Sequence, residues 1–171
     1  LGSIRFSREG EGASMDGVAE ATARAIQWFA DLTRVEKFDR VVIEAPIPEQ
    51  ALGSQTNAWA TALKFALIGA IGGACKLRSI DLRFGNIQRV RKFVIGKGNV
   101  RSQIAKPAVM QVCRALGWEP KNYDEADAAG LFLWACNEVA PRAVPHLDPI
   151  SLGLNPFDFN TARQKRERRA A

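Results

Sequence analysis

"DRVVIEAPIPE", Asp39 to Glu49, reads as a β-strand with a glutamate at its tip. Val41, Val42 and Ile43 form an unbroken β-branched run, where a strand wet on one face would alternate with polar residues. The run therefore predicts a strand covered on both faces, the pattern of an α/β sheet. Pro46 and Pro48 lack the backbone donor that a ladder needs, so the strand stops just after Glu44. Open α/β sheets gather their ligands at the carboxyl ends of their strands. Glu44 is thus the first candidate functional residue.

The flanking sequence fills in the pattern. "LGSIRFS" (Leu1 to Ser7) reads as a short strand and "REGEGASMDG" as a polar turn. From Ser14, a good N-cap, apolar positions at Met15, Val18, Ala19, Ile26, Phe29 and Ala30 predict an amphipathic helix to about Arg34. "TNAWATALKFALIGAIGGAC" (Thr56 to Cys75) predicts a helix apolar nearly all round, with Lys64 its one charge. Such a helix is either central to a core or shared with a second subunit. "LRSIDLRF" (Leu77 to Phe84) alternates like a strand, and a short helix is expected from Asn86 to the loop "GKGN". Pro107 suits a first helical position, and Val109, Val112, Cys113 and Leu116 continue as one stripe to Gly117. The last helix is expected near Asp124. After Pro141 the chain is punctuated by prolines and ends in the basic tail "TARQKRERRAA".

Composition narrows the function classes. The 171 residues suffice for one ordinary domain, and the formal net charge of +6 favours a polyanionic partner. The three cysteines, Cys75, Cys113 and Cys136, are far apart in apolar surroundings, as reduced core thiols of a cytoplasmic protein would be. The longest apolar run, "FALIGAIGGAC", is short and glycine-rich for a membrane span, so no membrane association is expected. One histidine, His146, excludes a histidine-rich metal site, and any metal would be held by oxygen, as magnesium or manganese are.

Oxygen donors stand out in "KNYDEADAAGLFLWA" (Lys121 to Ala135). Asp124 and Asp127 fall one turn apart on one helix face, in the first turn, where the backbone dipole favours carboxylates. Glu125 points elsewhere, and Gly130 with its alanine neighbours would let the helix approach a sheet. Taken alone, Asp-x-x-Asp at a helix start equally describes a capped, solvated helix end. Upstream, Arg89, Arg91, Lys92, Lys97, Arg101 and Lys106 crowd into eighteen residues with no acidic residue among them. A solvated surface explains such a run as well as a phosphate-binding one does.

The order of these parts resembles the RuvC-type Holliday junction resolvases of the RNase H-like superfamily. "LGSIRF" resembles that family's second strand, "VVIEAP" its strand ending in a catalytic glutamate, and "RVRKFVIGKGN" its basic segment. "KPAVMQVCRALGW" is similar to its lysine-led helix and "DEADAAGLFLWA" to its closing Asp-x-x-Asp-Ala helix. The resemblance implies an α/β fold, an RNase H-like mixed sheet flanked by helices, over residues 1–140, with 141–171 an irregular extension and basic tail. It implies Glu44, Asp124 and Asp127 as ligands of magnesium, with manganese as substitute, and Lys106 beside the scissile phosphate. Arg89, Arg91, Lys92, Lys97 and Arg101 would contact DNA. The implied activity is metal-dependent phosphodiester hydrolysis in four-way junctions by a homodimer, paired through the helix from Thr56, in the cytoplasm of a bacterial or phage-infected cell.

The likeness departs at its beginning. The family opens with a strand carrying an aspartate closely followed by glycine, whereas this sequence starts at what corresponds to the second strand. Glu9, Glu11 and Asp16 do not match that aspartate. Either an upstream segment supplies it, which the abrupt start at Leu1 favours, or the ligand is lost and the chain is inactive. Two other readings stand beside the resolvase: another RNase H-like nuclease acting on branched or RNA-containing substrates, and a catalytically inactive DNA-binding protein of the same fold.

Overall fold

A computed structural model describes residues 14–46 and 58–144. The expected first strand, Pro48, Thr56, His146 and the basic tail lie outside these residues. Helices account for 70% of the described chain, and the described sheet has two parallel strands, so the fold is mixed α/β and mostly helical. It is not clearly the RNase H-like mixed sheet that the sequence suggested. Contacts divide the chain between Phe84 and Gly85 into two compact units.

The first unit begins with α1 (Met15–Val35). Ser14 is extended, and its hydroxyl accepts a hydrogen bond from the Gly17 amide at 3.1 Å, the expected N-cap. The buried stripe is Val18, Ala21, Ala25 and Phe29, while Met15 and Ile26, expected inside, are exposed. The alanines win because small side chains let a neighbouring helix come close. That neighbour is α2 (Ala58–Leu77), which packs on α1 and links β1 (Arg40–Glu44) to β2 (Asp81–Gly85). Phe29, Ala74, Cys75 and Ile80 form the core here, with Phe38, Val41, Ile71 and Leu82 against it.

One expectation fails in this unit. Val41, Val42 and Ile43 are only half-buried, so the described residues do not cover both faces of β1. A β-branched run reports strand preference, but coverage depends on what the rest of the chain brings. The helix α2 is longer than the run "FALIGAIGGAC" and is apolar enough to cross a membrane by length and composition. Only part of it enters the core: Gly72, Ala74 and Cys75 are buried, while Trp59 and Phe65 are 37% and 48% exposed.

The second unit is a cluster of three helices, α3 (Ile87–Ile95), α4 (Ser102–Ala115) and α5 (Tyr123–Val139), followed by a single 3-10 turn at Pro141–Ala143. Asn86 caps α3, its Oδ1 accepting from the amides of Gln88 and Arg89 at 2.9 and 3.2 Å. Gly96 ends α3 at φ 74°, a left-handed conformation that favours glycine. Gly117, at φ 78°, follows α4 in the same way, and the Trp118 amide returns to the Cys113 carbonyl at 2.9 Å. Val90, Val94, Val109, Val112, Cys113, Ala126, Ala129 and Leu133 fill the space between the helices.

Helix α4 corrects the sequence reading most clearly. It starts at Ser102, so Pro107 lies inside it rather than opening it. An internal proline removes one helical hydrogen bond and crowds the preceding turn. The burial of Ala105 on the same stripe as Ala108, Val109 and Val112 offsets that loss by holding the first turn against the core. Gly130 also acts differently from expectation. A β-carbon there would stand 3.4 Å from Val94 and Val109 side chains, so the close approach is to α3 and α4, not to a sheet.

Candidate metal and nucleic-acid site

The lysine and the first aspartate of the expected site meet. Lys106 on α4 places Nζ 3.4 Å from Oδ1 of Asp124 on α5, although eighteen residues separate them. Asp124 is 89% exposed on its side chain and Lys106 36%, so the pair faces solvent. Both lie within the second unit.

Asp124 is in the first turn of α5, as expected, but its acidic companion there is Glu125. Asp127 falls in the next turn and is half-buried. Burial and, second to it, the nearby Asp127 carboxylate push the Cys113 thiol up to about 11. The Cys113 Sγ points at the Ala126 carbonyl, 3.8 Å away.

Glu125 is the functional-looking residue that sequence reasoning set aside. It is only 3% exposed, the one buried charged side chain among the described residues. Its Oε2 accepts from the Lys121 amide at 2.9 Å, and the Glu125 amide donates to Oδ1 of Asn122 at 2.8 Å. The Asn122 side-chain amide reaches Oε1 at 3.5 Å. This is a variant of the capping box, in which a polar residue and a glutamate three positions later satisfy each other's end of the helix. The sequence signal for it is Asn122-x-x-Glu125. Glu125 builds the platform on which Asp124 sits.

Glu44 lies at the end of β1 in the first unit, half-buried, with Lys64 Nζ 3.8 Å from Oε1. Each of Glu44 and Asp124 therefore has a lysine ammonium beside it. Among the described residues no group of three or more His, Cys, Asp or Glu side chains is placed to hold a metal ion. Asp124 and Asp127 offer oxygen donors from one helix, and the described residues add no third His, Cys, Asp or Glu side chain to them. The donor set does not fit a complete magnesium centre.

The basic segment separates into different roles. Arg89 and Lys92 are exposed one turn apart on α3, and Lys97 and Arg101 are exposed on the loop that follows. Arg91 is engaged inside the unit. Its guanidinium donates to the Val100 carbonyl and to the Ser102 hydroxyl, each at 3.3 Å, tying α3 to the start of α4. Its Nε is buried without a hydrogen-bond partner among the described residues. Gly98 lets that loop lie on α3, since a β-carbon there would come within 2.6 Å of the Gln88 carbonyl oxygen.

Neither a family model, a curated protein nor a solved structure matches this chain. The chemistry rests on the residues themselves. The second unit presents an ammonium against a carboxylate, a second carboxylate one turn on, and a row of exposed cations suited to phosphate.

Proposed function

We propose that the protein binds branched DNA and hydrolyses its phosphodiester backbone in a magnesium-dependent reaction, resolving four-way junctions. The observation that supports this most is the meeting of Lys106 with Asp124, with Asp127 on the next turn of the same helix. Within the second unit Asp124 and Asp127 are the proposed oxygen donors, and manganese would substitute for magnesium. Lys106 contributes a cation that can leave Asp124 for a phosphate oxygen, where it offsets charge growing in the transition state. Arg89, Lys92, Lys97 and Arg101 hold the DNA through its phosphates, so branch shape matters more than sequence. Two copies paired through α2 would present two such sites, and the exposed Trp59 and Phe65 of that helix support the pairing.

A second reading has its own observation. Lys64 holds an ammonium beside Glu44, and Lys106 holds one beside Asp124. That arrangement favours a DNA-binding protein whose carboxylates serve only as ion-pair partners. Incubating the full-length protein with four-way junction, flap and linear DNA in magnesium separates the two. Junction cleavage lost in Asp127→Asn supports the nuclease. Binding to junctions with no cleavage in magnesium or manganese rejects it and leaves the second reading.

A further inference from the structure

A cleft lies beside the Lys106–Asp124 pair. It is an open hollow of about 310 Å³ between α4 and the segment leading into α5. Pro107, Met110, Gln111 and Arg114 line it from one face of α4, and Lys121 and Tyr123 close it from the other side. Pro107 and Tyr123 directly follow Lys106 and precede Asp124, so the cleft borders the candidate site.

Its lining has a definite chemical character. Arg114 and Lys121 are cationic and exposed, and the lining contains no acidic residue. Tyr123 also lines the cleft and is 46% exposed. Pro107 and the buried Met110 supply an apolar wall, and Gln111 offers both donor and acceptor. The frame is firm, because the Lys121 amide is fixed by Glu125 and Tyr123 is the first residue of α5. An adjoining cleft shares Arg114 but includes Glu119, which opposes an anion there.

We infer that this cleft binds one nucleotide of single-stranded DNA, its phosphate on Arg114 and Lys121 and its base stacked on Tyr123. Two cations and an aromatic residue lining one cleft match the two chemically different ends of a nucleotide. Every base has a face that can stack, so the site is indifferent to sequence. A base inside a duplex is already stacked and cannot reach the ring. The cleft therefore prefers an unpaired strand, of the kind a branch point offers. The inference needs no metal and goes beyond the proposed cleavage.

Fluorescence anisotropy in a chelator, with labelled oligothymidylate and a blunt duplex as separate probes, tests it. Tyr123→Ala should weaken single-strand binding roughly tenfold or more, while duplex binding holds. Tyr123→Phe, which keeps the ring, should retain single-strand affinity. Arg114→Gln with Lys121→Gln should flatten the single-strand salt dependence by about 0.7 per lost phosphate contact in the log–log slope. Thymidine monophosphate should compete better than inorganic phosphate. Equal weakening of both probes by Tyr123→Ala, or an unchanged single-strand affinity, overturns the inference. So does a wild-type protein that ignores single strands while cutting junctions. Single-strand binding without any junction cleavage would instead reject the nuclease and leave this site standing.

Discussion

The ammonium of Lys106 and the carboxylate of Asp124 lie 3.4 Å apart, joining two helices at a solvent-facing point. Exposed pairs of this kind stabilise a fold by about 0–1 kcal/mol. Asp124→Asn should therefore leave the melting temperature nearly unchanged. Under the proposed function it abolishes cleavage and keeps junction binding equal or tighter, because a negative charge near phosphates is gone. Lys106→Ala should lower single-turnover cleavage far more than affinity. Near wild-type cutting by Asp124→Asn would reduce the pair to a surface contact.

The cations of α3 should separate by role. Neutralising Arg89 and Lys92 should weaken binding to all branched DNAs alike and flatten the log–log salt slope by about 0.9 for each lost duplex contact. Arg91→Ala should act on stability instead, by about 1–3 kcal/mol, because it frees the Val100 carbonyl and Ser102 hydroxyl from their partner. Denaturant melts and salt titrations of the same variants check both halves. A stable Arg91→Ala variant with a flattened slope would return Arg91 to the DNA surface.

Glycine replacements should also differ. Gly130→Ala places a methyl in ordinary contact at 3.4 Å from Val94 and Val109 and removes a flexible residue from α5. It should be neutral or stabilising by up to about 1 kcal/mol. Gly98→Ala meets the Gln88 carbonyl oxygen at 2.6 Å, which only a backbone shift can relieve. It should destabilise by roughly 1–3 kcal/mol. Thermal melts of the two variants in parallel would show whether that order is right.

Acid should loosen the two-stranded sheet. Hydrogen bonds from Arg40, at 2.7 Å, and then from Arg83, hold the Asp81 carboxyl below its usual 3.8. The folded state thus binds this proton less readily than the unfolded state. Its stabilisation is present above 3.8 and lost as pH falls through the lower, folded value. Asp81→Asn should remove that pH dependence, so melts of wild type and variant should converge in strong acid. Parallel curves from neutral pH to strong acid would contradict the assignment.

The thiols should react in order of access. Cys75 and Cys113 are buried, and burial raises both thiols, so little thiolate is available at neutral pH. Cys136 is only partly buried. A brief alkylation of native protein followed by peptide mass analysis should mark Cys136 alone, with Cys75 and Cys113 modified after denaturation. Early labelling of Cys113 would mean that α4 and α5 part readily.

Local signals in the sequence were the readable ones. Ser14 and Asn86 mark helix starts through their own side chains, and Gly117 marks a helix end through its own backbone, so each could be read in place. The strand at Arg40–Glu44 was legible from its β-branched run, but the number of strands beside it was not. Strand neighbours come from distant chain, and nothing in Val41 to Ile43 encodes them. Pro107 misled for the same reason: its local rule opposes an interior position, and the burial of Ala105 overrides it. At the candidate site the spacing of Asp124 and Asp127 was visible, whereas the contact with Lys106 depends on how α4 and α5 pack. Arg114, Lys121 and Tyr123 share a cleft only once those helices are folded.

The buried Glu125 carboxylate has a dynamic consequence. The first amides of a helix ordinarily lack partners and open before the rest. At α5 the Glu125 amide is bonded to Asn122, and the Lys121 amide just before the helix is bonded to the Glu125 carboxylate, which water scarcely reaches. Their exchange with deuterium should then be slow and should follow the opening of the whole helix cluster rather than local fraying. Asp124 therefore sits on ground that moves only when Val109, Ala126 and Ala129 come apart together.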